Sequence, residues 1–208
     1  MDAARTKGPA LSVAQQVMFE APSVDGPLSA AAELAKIPDD ATISGMFLMP
    51  MAEAAARLGK PLPSARERYT RFHFYPLREH VTLMFEAVKV LFPDCGARKG
   101  MRKLGRGAAP ALLESTLGRV VLASAITPVD AIAAMAKAYE INLRPGSARI
   151  LESGRGFAIV ELKNVYYLLD CNHVGAMEGL LRPLNIRPEV RIRPITNGHA
   201  ELLVCWPE

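Results

Sequence analysis

Hydrophobic and polar residues alternate near the C-terminus, over residues 147–206. Charged residues interleave there with Val190 and Ile192, so one face of the predicted strand is charged and the other is apolar. Asn197-Gly198, between two such runs, is typical of a tight hairpin turn. The pattern predicts a helix over 172–184 and strands at 148–151, 157–162, 189–195 and 201–206. We expect the residues that face the core to include Val190, Ile192, Leu202, Val204 and Trp206.

The middle of the chain has the spacing of amphipathic helices. In residues 77–92 the apolar positions fall on one helix face, and Pro93 ends the segment because proline cannot continue the hydrogen-bond ladder. Thr127 followed by Pro128 is a favourable helix start. The predicted helices are 51–58, 77–92, 95–106, 109–122 and 129–139, with a break at the glycines of 105–107. Helices followed by a run of strands predict an α+β domain, with a helical layer packed on a twisted antiparallel sheet.

The beginning of the chain has a weaker pattern. Residues 1–40 are expected to form an N-terminal extension that is partly ordered. A short strand is predicted within it, at 13–19. Residues 41–208 then form the α+β domain.

Composition and charge narrow the class of protein. Half of the 208 residues are apolar, which is enough for a sizeable core, but no apolar run reaches the length of a membrane span. The N-terminus lacks the apolar segment of a signal peptide, and the three cysteines are too far apart for a disulfide framework or a metal site. We therefore expect a cytoplasmic protein without a bound metal. The net charge is +4, but aromatic residues do not interleave with the basic ones, so no nucleic-acid partner is predicted.

Four arginines are candidates for binding an anion. Arg98, Arg102 and Arg106 recur every four residues, so a helix would align them in one stripe, called the basic stripe below. Arg119 follows in the next predicted helix. Guanidinium groups suit the carboxylate or phosphate of an acidic head group. Two alternatives stay open for the stripe, a solvated helix face and pairing with buried acids.

A few other side chains are candidates for ligand contact or chemistry. Tyr139 combines an apolar body with a hydrogen-bonding tip and would gate a pocket. Cys171 and His173 form a candidate nucleophile–base pair, but no third, orienting group is identifiable, and free cysteine is usually buried. His80 lies at the edge of an apolar helix face, where it would either pack or act as an axial haem ligand. The methionines of 46–51 would line an adaptable binding surface or belong to a buried element.

Several ordered motifs resemble an uncharacterised paralogous family expanded in myxobacteria. The motifs are ATISGMF at 41–47, YPLREH at 75–80, RKLGR at 102–106, LGR at 117–119, GAMEG at 175–179 and LVCW at 203–206. The C-terminal block is also similar to a wider superfamily of haem–nitric-oxide-binding sensors, four-vinyl-reductase-type domains and Golgi transport-particle subunits. This resemblance implies helices over a twisted sheet, often around an apolar cavity. The haem sensors carry a Tyr-x-Ser-x-Arg signature that is absent from this sequence, so haem is not expected.

The residues and the resemblance together predict a non-enzymatic sensory or carrier domain. It would bind an apolar or amphipathic small molecule and signal to a protein partner, with no catalytic residue and no cofactor. The residues expected to contact the ligand are Arg98, Arg102, Arg106, Arg119, Tyr139 and His173. The alternatives are a homodimeric scaffold without a ligand and, ranked last, a cysteine-dependent enzyme.

Overall fold

The computed structural model describes residues 11–113 and 127–207. The strands are β1 (Thr42–Ser44), β2 (Phe74–Pro76), β3 (Leu143–Arg144), β4 (Ser147–Gly154), β5 (Phe157–Lys163), β6 (Glu189–Thr196) and β7 (His199–Cys205). The α-helices are α1 (Val13–Val17), α2 (Ala30–Ala35), α3 (Met49–Arg57), α4 (Leu77–Leu91), α5 (Ala97–Leu113), α6 (Pro128–Asn142) and α7 (Val174–Leu180). Short 3-10 turns (Gly45–Phe47 and Arg182–Leu184) and a π-helical turn (Leu169–His173) complete the described elements.

The strands form two antiparallel sheets, a larger one in the order β4-β5-β7-β6 and a smaller one in the order β2-β1-β3. Helices α6 and α7 pack against the larger sheet, and α4 contacts the smaller one. This arrangement confirms the predicted α+β class. The small sheet was not predicted, because its strands are only two or three residues long.

The C-terminal hairpin follows the predicted register. Val190 pairs with Val204 and Ile192 with Leu202, and all four side chains are buried. Gly198 has a φ of +74°, a left-handed conformation that glycine adopts without strain. The predicted core-facing set is confirmed for these four residues, whereas Trp206 is only partly buried against the core.

The second face of the larger sheet is covered by the N-terminal segment. Phe19 packs there on side chains of β5 and β7, namely Phe157, Ile159 and Leu203. The backbones of Glu20 and Ile192 exchange hydrogen bonds of 2.8 and 2.9 Å. The central strand β7 is therefore buried on both faces, so its apolar residues do not alternate strictly with polar ones.

The strand predicted at 13–19 is wrong, because Val13–Val17 forms the short helix α1. Ser12 and Gln15 make a capping box, in which the hydroxyl of Ser12 accepts from the backbone N–H of Gln15 at 3.2 Å. The side chain of Gln15 accepts in return from the backbone N–H of Ser12 at 3.0 Å. These bonds satisfy donors that a free helix end would leave unpaired.

The predicted helices of the middle are confirmed where the structure describes them, with one correction. Helix α4 buries seven residues, four of them on the predicted apolar face. Helix α6 begins at the predicted cap, where the hydroxyl of Thr127 accepts from the backbone of Asp130 at 3.2 Å. The break predicted at 105–107 is wrong, since α5 continues to Leu113. The rest of the predicted helix 109–122, including Arg119, lies outside the described residues. No described helix is long and apolar enough to cross a membrane.

The glycines of α5 and α7 bring these two helices into backbone contact instead of ending them. A Cβ atom on Gly105 would lie 2.0 Å from the carbonyl oxygen of Asn172, and one on Gly175 would lie 2.1 Å from that of Arg102. The side-chain amide of Asn172 also donates to the carbonyl of Met101 at 3.2 Å. Only glycine permits this approach, because any other side chain would occupy the same space as the opposite backbone.

Candidate ligand-binding cavity

A cavity of about 380 Å³ lies between the helical layer and the small sheet. Its wall is built from β1, α3, α4, α5, α6, the π-helical turn and α7. Residues far apart in sequence meet there, among them Ile43, Leu104 and Leu180. The volume falls within the range of about 300–1,000 Å³ that small-molecule pockets occupy.

Methionine provides much of the apolar lining of the cavity. The five methionines in the wall are Met46, Met49, Met51, Met84 and Met135. The first three belong to the segment that the sequence indicated as either an adaptable surface or a buried element, and they are partly or fully buried. Methionine is flexible and polarizable, so this wall can adjust to ligands of different shape.

One part of the wall carries buried polar side chains, called the His–Tyr group below. The group consists of His80, Tyr139, Tyr167 and His173. The hydroxyl of Tyr139 lies 2.5 Å from Nδ1 of His173, a hydrogen bond. The ring of Tyr167 makes edge contacts with both imidazoles, at centroid distances of 4.6 Å to His173 and 5.6 Å to His80.

The π-helical turn Leu169–His173 places His173 in this group. The turn follows Leu168, whose φ of 49° is left-handed and therefore uncommon for a residue other than glycine. The buried carboxylate of Glu33, on α2, accepts from the backbone N–H of Leu168 at 3.3 Å. Helix α2, through Glu33, thus helps to hold the turn that carries His173.

Burial keeps the His–Tyr group neutral. It lowers the pKa of His80 to about 3, with a smaller contribution from the charge of His173, and it lowers the pKa of His173 to about 4. The backbone of Tyr167 acts in the opposite direction and raises the pKa of His173, but burial has the larger effect. Burial also raises the pKa of Tyr139 well above its ordinary value, so this phenol stays protonated. At pH 7 the group therefore presents hydrogen-bonding atoms without net charge.

The Cys171–His173 pair does not have the environment of a nucleophile and its base. Cys171 is buried and points its thiol towards the carbonyl of Leu168, at 3.8 Å. Burial and the neighbouring carboxylate of Asp170 raise the pKa of the Cys171 thiol, which disfavours the thiolate. Cys171 is also absent from the described lining of the cavity.

The arginines of the basic stripe pair with acids. Arg102 binds Glu178 of α7 through two hydrogen bonds, of 2.5 and 3.0 Å, and Arg106 binds the same carboxylate at 2.5 Å. Arg98 pairs with Asp170 of the π-helical turn. Burial raises the pKa of Glu178, but the bonds from both arginines outweigh this effect and hold the pKa below its ordinary value.

The structure brings together only part of the predicted site. Tyr139 and His173 are hydrogen-bonded to each other in the cavity wall, whereas the basic stripe does not belong to the described lining. Arg102 and Arg106 instead fasten α5 to α7, beside the glycine contacts, and Arg98 joins α5 to the π-helical turn. The sequence alone leaves open a pairing with buried acids but does not identify Glu178 as the partner, although that residue lies within the GAMEG motif. That the stripe and Arg119 contact a ligand stays a prediction.

Comparison with known proteins establishes the family and the fold. Residues 38–207 match the model of a family described as a protein of unknown function, DUF2378, and the chain belongs to this family. No curated protein matches the chain. That the family is expanded in myxobacteria stays a prediction.

H-NOX proteins are among the solved structures with the same fold. The Fe(II) unliganded protein from K. algicida has a TM-score of 0.62 at 12% identity, over 80% of this chain and 97% of that one. The Fe(II)NO form from S. oneidensis has a TM-score of 0.56 at 9% identity, over 80% and 100%. An oxygen-binding H-NOX domain related to soluble guanylate cyclases has a TM-score of 0.57 at 11% identity, over 79% and 93%. At these identities the likeness concerns the fold alone.

The two buried histidines can be tested as iron ligands, because the resemblance to haem sensors implies a haem. A metal-binding imidazole coordinates through one nitrogen and donates its other N–H to an acceptor. Nδ1 of His80 is buried without a hydrogen-bond partner, so this ring lacks the required acceptor. In His173, Nδ1 is occupied by Tyr139, and Nε2 is buried without a partner. His173 thus keeps one nitrogen free beside a hydrogen-bonded one, as a coordinating imidazole does, whereas His80 lacks the second hydrogen bond. The described residues contain no cluster of three or more metal-binding side chains. That the domain holds no haem stays a prediction.

Proposed function

We propose that this domain binds an apolar or amphipathic small molecule in the cavity, as a sensor or carrier and not as an enzyme. The observation that carries the proposal is the 380 Å³ cavity, whose wall is mostly apolar and is rich in methionine. Burial of apolar surface contributes about 25 cal/mol per Å², so a ligand that fills such a space gains most of its affinity from the lining.

The His–Tyr group supports a ligand that is neutral where it meets this part of the wall. An ion placed against buried, uncharged side chains would lose its hydration without gaining a partner. The two imidazole nitrogens without partners, on His80 and His173, also leave hydrogen-bonding capacity beside the cavity. A haem is not the ligand we propose, because the sequence lacks the Tyr-x-Ser-x-Arg signature of the haem sensors and Nδ1 of His80 has no acceptor.

Transmission to a protein partner would use helices α5 and α7. Both contribute to the wall, through Leu104 on α5 and Ala176 on α7, so a ligand that fills the cavity contacts the two helices together. Gly105, Gly175 and the Arg102–Glu178 pair join the helices closely, so a displacement of one is passed to the other. The homodimeric scaffold without a ligand stays a prediction.

Binding can be tested with the apolar dye Nile red and two variants of α6. Ala138 lines the cavity, whereas Ala133 on the same helix is exposed. Ala138→Phe should fill part of the cavity and weaken dye binding strongly, and Ala133→Phe should bind the dye as the wild type does. Equal binding by all three proteins would show that the dye binds elsewhere and would contradict the proposal.

A further inference from the structure

The charged residues of the cavity wall are exposed to solvent, so we assign them to its rim. They are Glu53, Arg71 and Lys103, and each of the three residues is exposed. The residues of the His–Tyr group, in contrast, are buried or partly buried and uncharged at pH 7. The cavity therefore combines an apolar, neutral interior with a rim that carries two positive charges and one negative charge.

Neither cation of the rim forms an ion pair with the residues that the structure describes. Nζ of Lys103 lies 3.0 Å from the thiol of Cys95 and 5.4 Å from the centre of the Phe92 ring. The backbone carbonyl of Arg71 accepts hydrogen bonds from Ser44 at 2.7 Å and from Met46 at 2.9 Å. The backbone of Arg71 is thus fixed at the rim, while its guanidinium group has no carboxylate partner among the described residues.

The cations of the rim differ from the basic stripe in their ion pairs. The three arginines of the stripe already bind carboxylates of the protein, so an anionic ligand would have to displace Glu178 or Asp170. Lys103 lies between Arg102 and Arg106 on α5 but belongs to the cavity wall. An anion at Lys103 and Arg71 displaces no carboxylate.

We propose that the ligand is a single-chain amphiphile whose anionic carboxylate lies at the rim, near Lys103 and Arg71, with its chain in the cavity. This inference rests on the proposed function and adds the class and the orientation of the ligand. A flexible chain suits a wall of methionines, because both can adjust their shape. The carboxylate stays at the rim, because entry into the neutral interior would remove its hydration.

The inference can be tested with amphiphiles of one chain length and different head groups. Dodecanoate, dodecanol and dodecyltrimethylammonium would compete with Nile red for the full-length protein. The two ions are kept below their micellar concentrations and dodecanol below its solubility. Dodecanoate should bind most tightly. Lys103→Met and Arg71→Met should each weaken dodecanoate by about two- to fivefold, the range for exposed ion pairs, and leave dodecanol unchanged. Glu53→Gln should strengthen dodecanoate, because it removes the negative charge of the rim.

A matched control is Lys99→Met, since Lys99 is an exposed residue of α5 that does not line the cavity. It should leave all three affinities unchanged. Equal binding of dodecanoate and dodecanol, or tightest binding of the ammonium compound, would overturn the carboxylate head group and leave the cavity proposal intact. If no amphiphile competes and the dye binds Ala138→Phe as well as the wild type, the proposed function itself fails.

Discussion

Lowering the pH from 7 to 5 should destabilise the protein through its two buried histidines. Their ordinary pKa is 6.5, but burial lowers the pKa of His80 to about 3 and that of His173 to about 4. The unfolded chain therefore binds protons at a pH where the folded protein does not. The contribution of these two histidines to the free energy of unfolding is fully present above pH 6.5. It is lost progressively as the pH falls towards 4 for His173 and towards 3 for His80.

The size of the effect follows from the two pKa values. At pH 5, proton binding to the unfolded chain lowers the free energy of unfolding by about 2 kcal/mol for each histidine, or by about 4 kcal/mol for both. A domain of this size has a free energy of unfolding of about 5–15 kcal/mol, so the loss is easily measured. Urea unfolding followed by far-ultraviolet circular dichroism at pH 7, 6 and 5 would give this pH dependence.

Single substitutions assign the pH dependence to each ring. His80→Phe and His173→Phe should each remove about half of it, although His173→Phe also lowers stability at pH 7 because Tyr139 loses its partner. His73→Phe is the control, since His73 is exposed and should keep the full dependence. An unchanged pH dependence in His80→Phe, or a wild type equally stable at pH 7 and 5, would refute the assignment of neutral, buried imidazoles.

Three further results are expected. Gly105→Ala should lower the free energy of unfolding by about 3 kcal/mol or more, because the new Cβ overlaps the backbone of Asn172. Gly107→Ala, with open space around its Cβ, should be neutral or slightly stabilising. Equal melting temperatures of the two variants would contradict the contact between α5 and the segment of Asn172. Arg102→Met should cost about 2 kcal/mol, since it removes two bonds from the largely buried carboxylate of Glu178 while Arg106 stays bound to it. A melting temperature unchanged at pH 7 would show that the pair is solvated. Titration with haemin should give no stoichiometric Soret band, and such a band, if lost in His80→Phe or in His173→Phe, would reverse our expectation that no haem binds.

Local patterns predicted much of the fold. The hairpin of β6 and β7 depends on alternation and on Asn197-Gly198, and α4 depends on one apolar face, so both can be read from neighbouring residues. The break at 105–107 was wrong because the low helix propensity of Gly105 is outweighed by a contact with Asn172, far away in sequence. The division of the chain at residue 40 stays a prediction.

The cavity was harder to predict than the fold. Tyr139 and His173 were proposed as ligand contacts, but their hydrogen bond joins residues 34 positions apart. The acids that pair with the basic stripe lie 72 to 76 positions from its arginines, so no local spacing connects them. Lys103 and Arg71 are ordinary surface cations by sequence, and only the folded chain places both in the lining of one cavity.

The central claim is that the cavity holds a small molecule, and native mass spectrometry of gently purified protein tests it most directly. The account predicts a wild-type chain that carries one bound small molecule and Ala133→Phe with the same added mass. Ala138→Phe should show the mass of the bare chain. A wild type that is bare in every preparation, and that retains neither Nile red nor dodecanoate, would contradict the account, and a bare dimer would favour the scaffold instead.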